Sequence, residues 1–147
     1  MTSRERVLST LDRNGYDRIP VKHEGTPEVN AELMAHFGLS NEEQLRRMLG
    51  DDFRYIQPEY CGPKLRTFPD GSIEGFWGER YGHKAYEGGS YLEPVHLPFE
   101  GVMRLKDLDR SHFPTMDWFD FSQVEAQCRA LHSEYAVCIG SAADLGF

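Results

Sequence analysis

The sequence lacks the long apolar runs and paired cysteines that mark membrane proteins and disulfide-rich secreted proteins. No stretch approaches about 18 uninterrupted apolar residues, so no segment is predicted to span a bilayer. The residues that follow Met1 carry no apolar run typical of a secretory signal. The three cysteines, Cys61, Cys128 and Cys138, are odd in number and form no Cys-x-x-Cys pair. We therefore expect a cytoplasmic protein with free thiols.

Positive charge is also in short supply. Lysine and arginine total 16 against 24 aspartate and glutamate residues, which gives a net charge of −8. An acidic chain repels phosphate backbones and anionic lipids, so we expect neither nucleic acid nor membrane as a partner. The chain contains no Gly-x-Gly-x-x-Gly, Gly-x-x-x-x-Gly-Lys or Gly-x-Ser-x-Gly pattern. Phosphate-loop and serine-hydrolase chemistry therefore have no support.

Local signals predict helices that alternate with short strands, and the 147 residues form one predicted domain, 1–147. In the section 1–56, the capping box Thr2-x-x-Glu5 starts a helix, and Thr26-Pro27 starts another. The pattern at Arg18–Val21 predicts a first strand, and Phe53–Gln57 predicts a second. Two further capping-box patterns predict a third and a fourth helix, at Ser40-x-x-Glu43 and Ser122-x-x-Glu125.

The section 57–104 is rich in glycine and aromatic residues. It holds 8 of the 14 glycines, 5 of the 8 prolines and 8 of the 18 aromatic residues. Pro69-Asp70-Gly71-Ser72 predicts a tight turn between two extended segments, with further extended segments at Tyr81–Tyr86 and Tyr91–Leu97. We interpret this section as an antiparallel β-ribbon inserted into an α/β framework.

In the section 105–147, helix and strand signals alternate again, and the section ends with an apolar strand pattern. Leu105–Asp109 predicts a short helix or turn, and Tyr135–Ile139 predicts a buried strand. A strand this apolar needs covering layers on both faces. We therefore expect the chain to be the N-terminal portion of a longer protein and to be inactive on its own.

Five segments in order resemble the N-terminal part of the uroporphyrinogen decarboxylase superfamily, which includes a corrinoid-dependent methyltransferase branch. These segments are Thr2–Leu8, Asp17–Val21, Leu49–Tyr55, Phe68–Ser72 with Trp77-Gly78, and Met116–Ser122. The resemblance implies an α/β fold that is the N-terminal portion of a TIM-type (β/α)8 barrel, here with the inserted antiparallel β-ribbon. A complete barrel of this type needs about 250 residues.

One departure from the family pattern bears on activity. True uroporphyrinogen decarboxylases grip the substrate carboxylates with an arginine-rich segment after the first strand, but this chain has no arginine between Arg18 and Arg46. Lys22 cannot replace two guanidinium groups. The resemblance therefore favours methyl transfer between a methylated small-molecule substrate or a corrinoid protein and a thiol or folate acceptor. Two alternatives stay open: uroporphyrinogen decarboxylation in tetrapyrrole biosynthesis, and a non-catalytic α/β binding or assembly module.

The methyltransferase branch also implies a metal. Its members activate a thiol on zinc through a His-x-Cys pair and a distant cysteine, and thiolate ligation lowers the thiol pKa. No His-x-Cys pair occurs among these 147 residues. The family places those ligands in its C-terminal half, so we predict no metal ligand in this chain. A corrinoid protein is the expected partner.

Barrel enzymes carry their chemistry at the carboxyl ends of the strands. His23 and Glu24 follow the first predicted strand and Glu59 follows the second, which makes these three the catalytic candidates. From its residue type and position, His23 is suited to act as a general base, as a metal ligand or as a group that forms a hydrogen bond to the substrate. The alternative is that His23 and Glu24 only cap or solvate the helix that begins near Thr26.

Aromatic residues near these positions are the candidate substrate-binding group. Tyr60 follows the second predicted strand, and Trp77 and Tyr81 lie in the ribbon, where flat rings could hold a corrinoid or a pterin. The alternative is that these rings fill space between ribbon and framework. The carboxylate pair Asp51-Asp52 precedes the second strand and is predicted to be a solvated turn.

Overall fold

A computed structural model describes residues 1–110 and 113–140. Its helices are α1 (Ser3–Leu11), α2 (Pro27–Phe37), α3 (Glu42–Met48) and α4 (Val124–Leu131). Its strands are β1 (Phe53–Ile56), β2 (Glu59–Tyr60), β3 (Ile73–Glu74), β4 (Arg80–Tyr86), β5 (Gly89–His96), β6 (Phe119–Asp120) and β7 (Ala136–Ile139). The chain is therefore a mixed α/β protein. Within the described ranges, no helix is both long enough and apolar enough to cross a membrane.

The chain divides into two compact units. The first comprises Met1–Glu59 with Phe121–Phe147, and the second is Tyr60–Asp120. The first unit holds the four helices and the parallel strands, whereas the second holds the antiparallel ribbon.

The first two helices of the first unit begin where their caps predict. The Thr2 side chain accepts from the Glu5 amide and the Glu5 carboxylate accepts from the Thr2 amide, so the capping box of α1 is confirmed. Thr26 caps α2, with Pro27 in its first turn. Gly38 ends α2 at φ 65°, a left-handed conformation that costs glycine little.

The other two predicted caps are wrong in detail. Helix α3 is capped by Asn41 rather than Ser40, because the Asn41 side chain reaches the Gln44 amide at 3.0 Å. Helix α4 follows Gln123, whose side chain forms no capping hydrogen bond. Asparagine and serine cap about equally well, so local geometry decides between two adjacent candidates.

Strands β1 and β7 form a parallel pair, which confirms the predicted parallel arrangement at these strands. Phe53 aligns with Ala136 and Ile56 with Ile139. The predicted strand over Arg18–Val21 is wrong, since the structure assigns no strand there. Pro20 has no N–H to give to a ladder. Val21 nevertheless accepts the Asp52 amide at 2.8 Å through its carbonyl, which places this segment beside the start of β1.

The apolar core of the first unit is small. The buried apolar side chains are Val7 on α1, Leu45 on α3, Ile56 on β1 and Tyr135 just before β7. Next to them lies a set of buried charges. The guanidinium of Arg54, itself buried, lies 3.9 Å from the centre of the Tyr135 ring. A planar cation over an aromatic face lets a charge pack inside this small core.

The prediction that Asp51-Asp52 forms a solvated turn is wrong. Asp52 is 0 % exposed and Asp51 is almost as buried. A buried carboxylate needs partners, and Asp52 accepts hydrogen bonds from Arg6 at 2.6 Å and from Arg18 at 2.7 Å. Burial opposes ionisation, but the Val21 amide and these guanidinium groups outweigh it and hold the pKa of Asp52 below its ordinary value. The amino end of β1 is therefore a buried ionic cluster.

The second unit is an antiparallel ribbon, as predicted. Strands β3, β4 and β5 form one sheet, and β4 pairs with β5 from Arg80 opposite His96 to Tyr86 opposite Gly89. The turn at Pro69–Ser72 is confirmed, since the Phe68 amide donates to the Ser72 carbonyl at 2.8 Å. A short 3-10 helix over Leu105–Asp107 confirms the predicted turn in that region.

Candidate functional site

In the segment after Val21, polar side chains lie beside β1. Lys22 Nζ lies 2.6 Å from Glu24 Oε1 and 5.3 Å from the centre of the Tyr55 ring. The hydrogen bond from Lys22 to Glu24 holds the pKa of the ammonium group above its ordinary value. Lys22 is therefore protonated at neutral pH, and its charge is balanced by Glu24.

His23 contacts α2 instead of this ion pair. Its Nε2 lies 2.8 Å from Oδ1 of Asn30, a residue that is only 8 % exposed. Because an amide oxygen accepts, the bond requires a proton on Nε2. A Cβ at Gly25 would lie 2.2 Å from that oxygen and 3.0 Å from Nε2. Gly25 therefore lets the backbone approach closely enough for the bond to form.

The structure places the three catalytic candidates in different surroundings. Glu24 is paired with Lys22, and His23 is bound to Asn30. Glu59 is exposed as the first residue of β2. Sequence reasoning did not identify Asn30 or Tyr55, which are the contacts that fix this group. The sequence did contain one signal for Asn30: it is a polar residue in the first turn of a helix whose cap was predicted.

A cavity of about 350 Å³ lies within the second unit. It is lined by Tyr60, Pro63, Lys64, Leu65, Arg66, Glu74, Gly75, Phe76, Gly78 and Trp118. The Tyr60 ring stacks on Phe76 at a centroid distance of 6.2 Å and meets Trp118 edge-on at 6.4 Å. These separations and angles are typical of packed aromatic pairs.

Of the three aromatic binding candidates, one lines this cavity and two do not. Tyr60 lines it, whereas Trp77 and Tyr81 do not. The Trp77 ring packs between Phe76 and Phe113, and the Tyr81 hydroxyl donates to Glu79 at 3.3 Å. Sequence reasoning missed Lys64 and Trp118 as lining residues.

An apolar cavity of about 460 Å³ lies in the first unit, between α1, α4 and the parallel pair. Its lining includes the free thiols of Cys128 and Cys138 and the imidazole of His132. In the part of the chain that the structure describes, no group of three or more His, Cys, Asp or Glu side chains is placed to hold a metal ion.

Comparison of the chain with models of protein families, with curated proteins and with solved structures found no match.

Proposed function

We propose that the chain contributes the first strands of a TIM-type barrel in an enzyme similar to the uroporphyrinogen decarboxylases. We further propose that this enzyme belongs with the methyltransferase branch. It transfers a methyl group between a methylated substrate or a corrinoid protein and a thiol or folate acceptor. The chain's part is to form one section of the substrate site at the strand ends.

The order of the extended segments supports the barrel. The Val21 segment bonds to Asp52 at the start of β1, and β1 pairs in parallel with β7, so neighbours in space follow chain order. Helices α2 and α3 lie in the first connection and α4 lies in the second. Parallel strands are normally covered on both faces, yet Ile139 at the end of β7 is 76 % exposed. Further barrel strands would supply that cover.

The ion pair formed by Lys22 is the observation that favours methyl transfer over decarboxylation. A substrate with many carboxylates requires fixed cations, and Lys22 is the cation that follows the first extended segment. Its ammonium is 2.6 Å from Glu24, so a substrate carboxylate would compete with a carboxylate already in place. This pairing disfavours uroporphyrinogen as substrate and favours one with little negative charge, such as a methylated small molecule.

The same geometry indicates what the other side chains do. Asn30 and Gly25 fix the His23 ring, so its orientation is set before any substrate arrives. The Tyr55 ring lies under the Lys22 ammonium and holds that side chain along β1. The chain thus supplies a pre-oriented imidazole and a neutral ion pair.

The test compares two reactions on the same preparation. Because the chain alone is expected to be inactive, the full-length protein that contains it is incubated with methylcobalamin and either a thiol or tetrahydrofolate, and loss of the methylcobalamin absorbance is followed. A parallel incubation with uroporphyrinogen measures carboxyl loss. We expect methyl transfer without decarboxylation. Decarboxylation without methyl transfer would establish the decarboxylase alternative. The absence of both reactions would support the non-catalytic module.

A matched pair of variants tests the role of the ion pair. Glu24→Gln releases Lys22, so we expect this variant to bind uroporphyrinogen up to about fivefold more tightly than the parent. Glu32→Gln makes the same charge change at an exposed position on α2 and should leave binding unchanged. Equal binding by the two variants would contradict the argument from Lys22.

A further inference from the structure

The aromatic cavity of the second unit has a rigid wall. The Tyr60 hydroxyl donates to the Pro63 carbonyl at 2.8 Å, and the Cys61 amide donates to the Trp118 carbonyl at 2.8 Å. A Cβ at Gly62 would lie 2.8 Å from Trp118 Cβ and 2.8 Å from Tyr60 Cζ. Only a residue without a side chain allows the loop to approach both rings so closely. The ring faces are therefore held in place before a ligand enters.

The wall carries one unbalanced charge. Arg66 donates to both carboxylate oxygens of Glu74 at 3.0 Å, so this pair is neutral. Burial and the nearby charge of Glu74 raise the pKa of Tyr60, which keeps the phenol neutral. Lys64 forms no ion pair or hydrogen bond with residues 1–110 or 113–140. In a chain of net charge −8, the cavity lining is thus locally cationic.

One neighbouring carboxylate opposes that charge. The Glu79 side chain packs against Gly75, and its Oε2 is buried without a hydrogen-bond partner. Glu79 itself does not line the cavity, whereas Lys64 does. A ligand in the cavity therefore meets Lys64 directly and Glu79 only through the backbone of Gly75.

From these observations we propose that the cavity binds a flat aromatic ring that bears a single carboxylate. The ring would lie against Tyr60, Phe76 and Trp118, and the carboxylate would face Lys64. A single carboxylate matches a single ammonium group, whereas a doubly charged phosphate would leave excess negative charge beside an acidic protein. The volume of about 350 Å³ lies within the range of small-molecule sites. The inference does not rest on the proposed methyl transfer, because binding is measured without turnover.

The test uses a set of probes that share one ring system. Binding of 2-naphthoate to the full chain is measured by calorimetry and by quenching of tryptophan fluorescence. We expect a dissociation constant of about 1 mM or below, from the affinity usual for a ligand of this size. The neutral 2-naphthalenemethanol and the doubly charged 2-naphthyl phosphate should each bind about tenfold more weakly.

Variants separate the charge from the ring contact. Lys64→Met should weaken 2-naphthoate about tenfold and leave 2-naphthalenemethanol unchanged. Lys106→Met removes an exposed lysine elsewhere in the same unit and should alter neither probe. Phe76→Leu should weaken both probes about three- to tenfold, because both use the ring face.

Three outcomes would overturn the proposal. The first is the absence of saturable 2-naphthoate binding up to its solubility limit. The second is a Lys64→Met variant that binds 2-naphthoate as tightly as the Lys106→Met variant. The third is tighter binding of 2-naphthylmethylammonium than of 2-naphthoate, which would show that Glu79 sets the charge preference.

Discussion

Replacing Asp52 with asparagine should destabilise the first unit strongly. The Asp52 carboxylate is 0 % exposed and joins Arg6 of α1 to Arg18 of the following segment. It also accepts the Val21 amide at 2.8 Å. Asparagine has the same shape but no charge, and its nitrogen donates where the carboxylate accepts. Two guanidinium groups then lose their shared partner.

The expected loss in the free energy of unfolding depends on the partners that Arg6 and Arg18 retain in the variant. Removing one member of a buried ion pair costs about 3–5 kcal/mol, because an uncompensated charge stays buried. Arg6 retains Asp17, which it contacts at 2.6 and 2.8 Å. The Arg18 side chain is 41 % exposed and can turn to water. We therefore expect the lower end of the range, about 3 kcal/mol. For a unit of 60–100 residues this corresponds to a midpoint lowered by about 12 °C or more.

The assay is thermal unfolding followed by circular dichroism, with urea unfolding as a second measure. Glu32→Gln is the control, because it removes one carboxylate charge from an exposed site on α2. Its effect should stay within about 0.5 kcal/mol. Equal midpoints for the two variants would refute the view that the buried cluster stabilises the amino end of β1.

Three other outcomes follow from the same structure. Thr2→Ala should cost about 1 kcal/mol in urea unfolding because it removes the cap of α1, whereas Thr2→Ser should retain stability. Gly62→Ala should cost about 1–3 kcal/mol and change the tryptophan emission, since the added Cβ would lie 2.8 Å from Trp118. The pKa values of Asp52 and Glu43 are lowered, so their stabilisation is complete above about pH 5 and is lost as pH falls through the lower folded values. The thermal midpoint should therefore decrease as the pH is lowered below about 5, and a midpoint that does not change with pH would contradict this.

The starts of α1 and α2 and the turn before β3 were predictable because their causes are local. Thr2 and Glu5 cap α1 through atoms three residues apart, and Thr26 caps α2 in the same way. The turn before β3 likewise uses neighbouring residues, with Asp70 accepting from the Ser72 amide. Such signals need no knowledge of the rest of the chain.

The buried cluster was not predictable because its partners are distant in sequence. Arg6 and Asp52 are 46 residues apart, and Arg18 and Asp52 are 34 apart. Adjacent aspartates in a glycine-containing segment have the composition of a solvated turn, and only the fold supplies the arginines. The same limit applies to the aromatic cavity, where Trp118 meets Tyr60 from far along the chain.

The two ends of β1 have different electrostatic surroundings. We therefore expect substitutions at one end to change stability and substitutions at the other end to change binding. At the amino end Asp52 is enclosed by guanidinium groups that hold three segments together. Near the carboxyl end, the Tyr55 ring lies 5.3 Å from the ammonium of Lys22, which pairs with the exposed Glu24. Surface ion pairs contribute about 0–1 kcal/mol, so substitutions there leave the fold nearly intact. The barrel that we propose would show the same division, with stability at the amino face and chemistry at the carboxyl face. Asp52→Asn should therefore change the unfolding midpoint, whereas Glu24→Gln should change ligand preference at an almost constant midpoint.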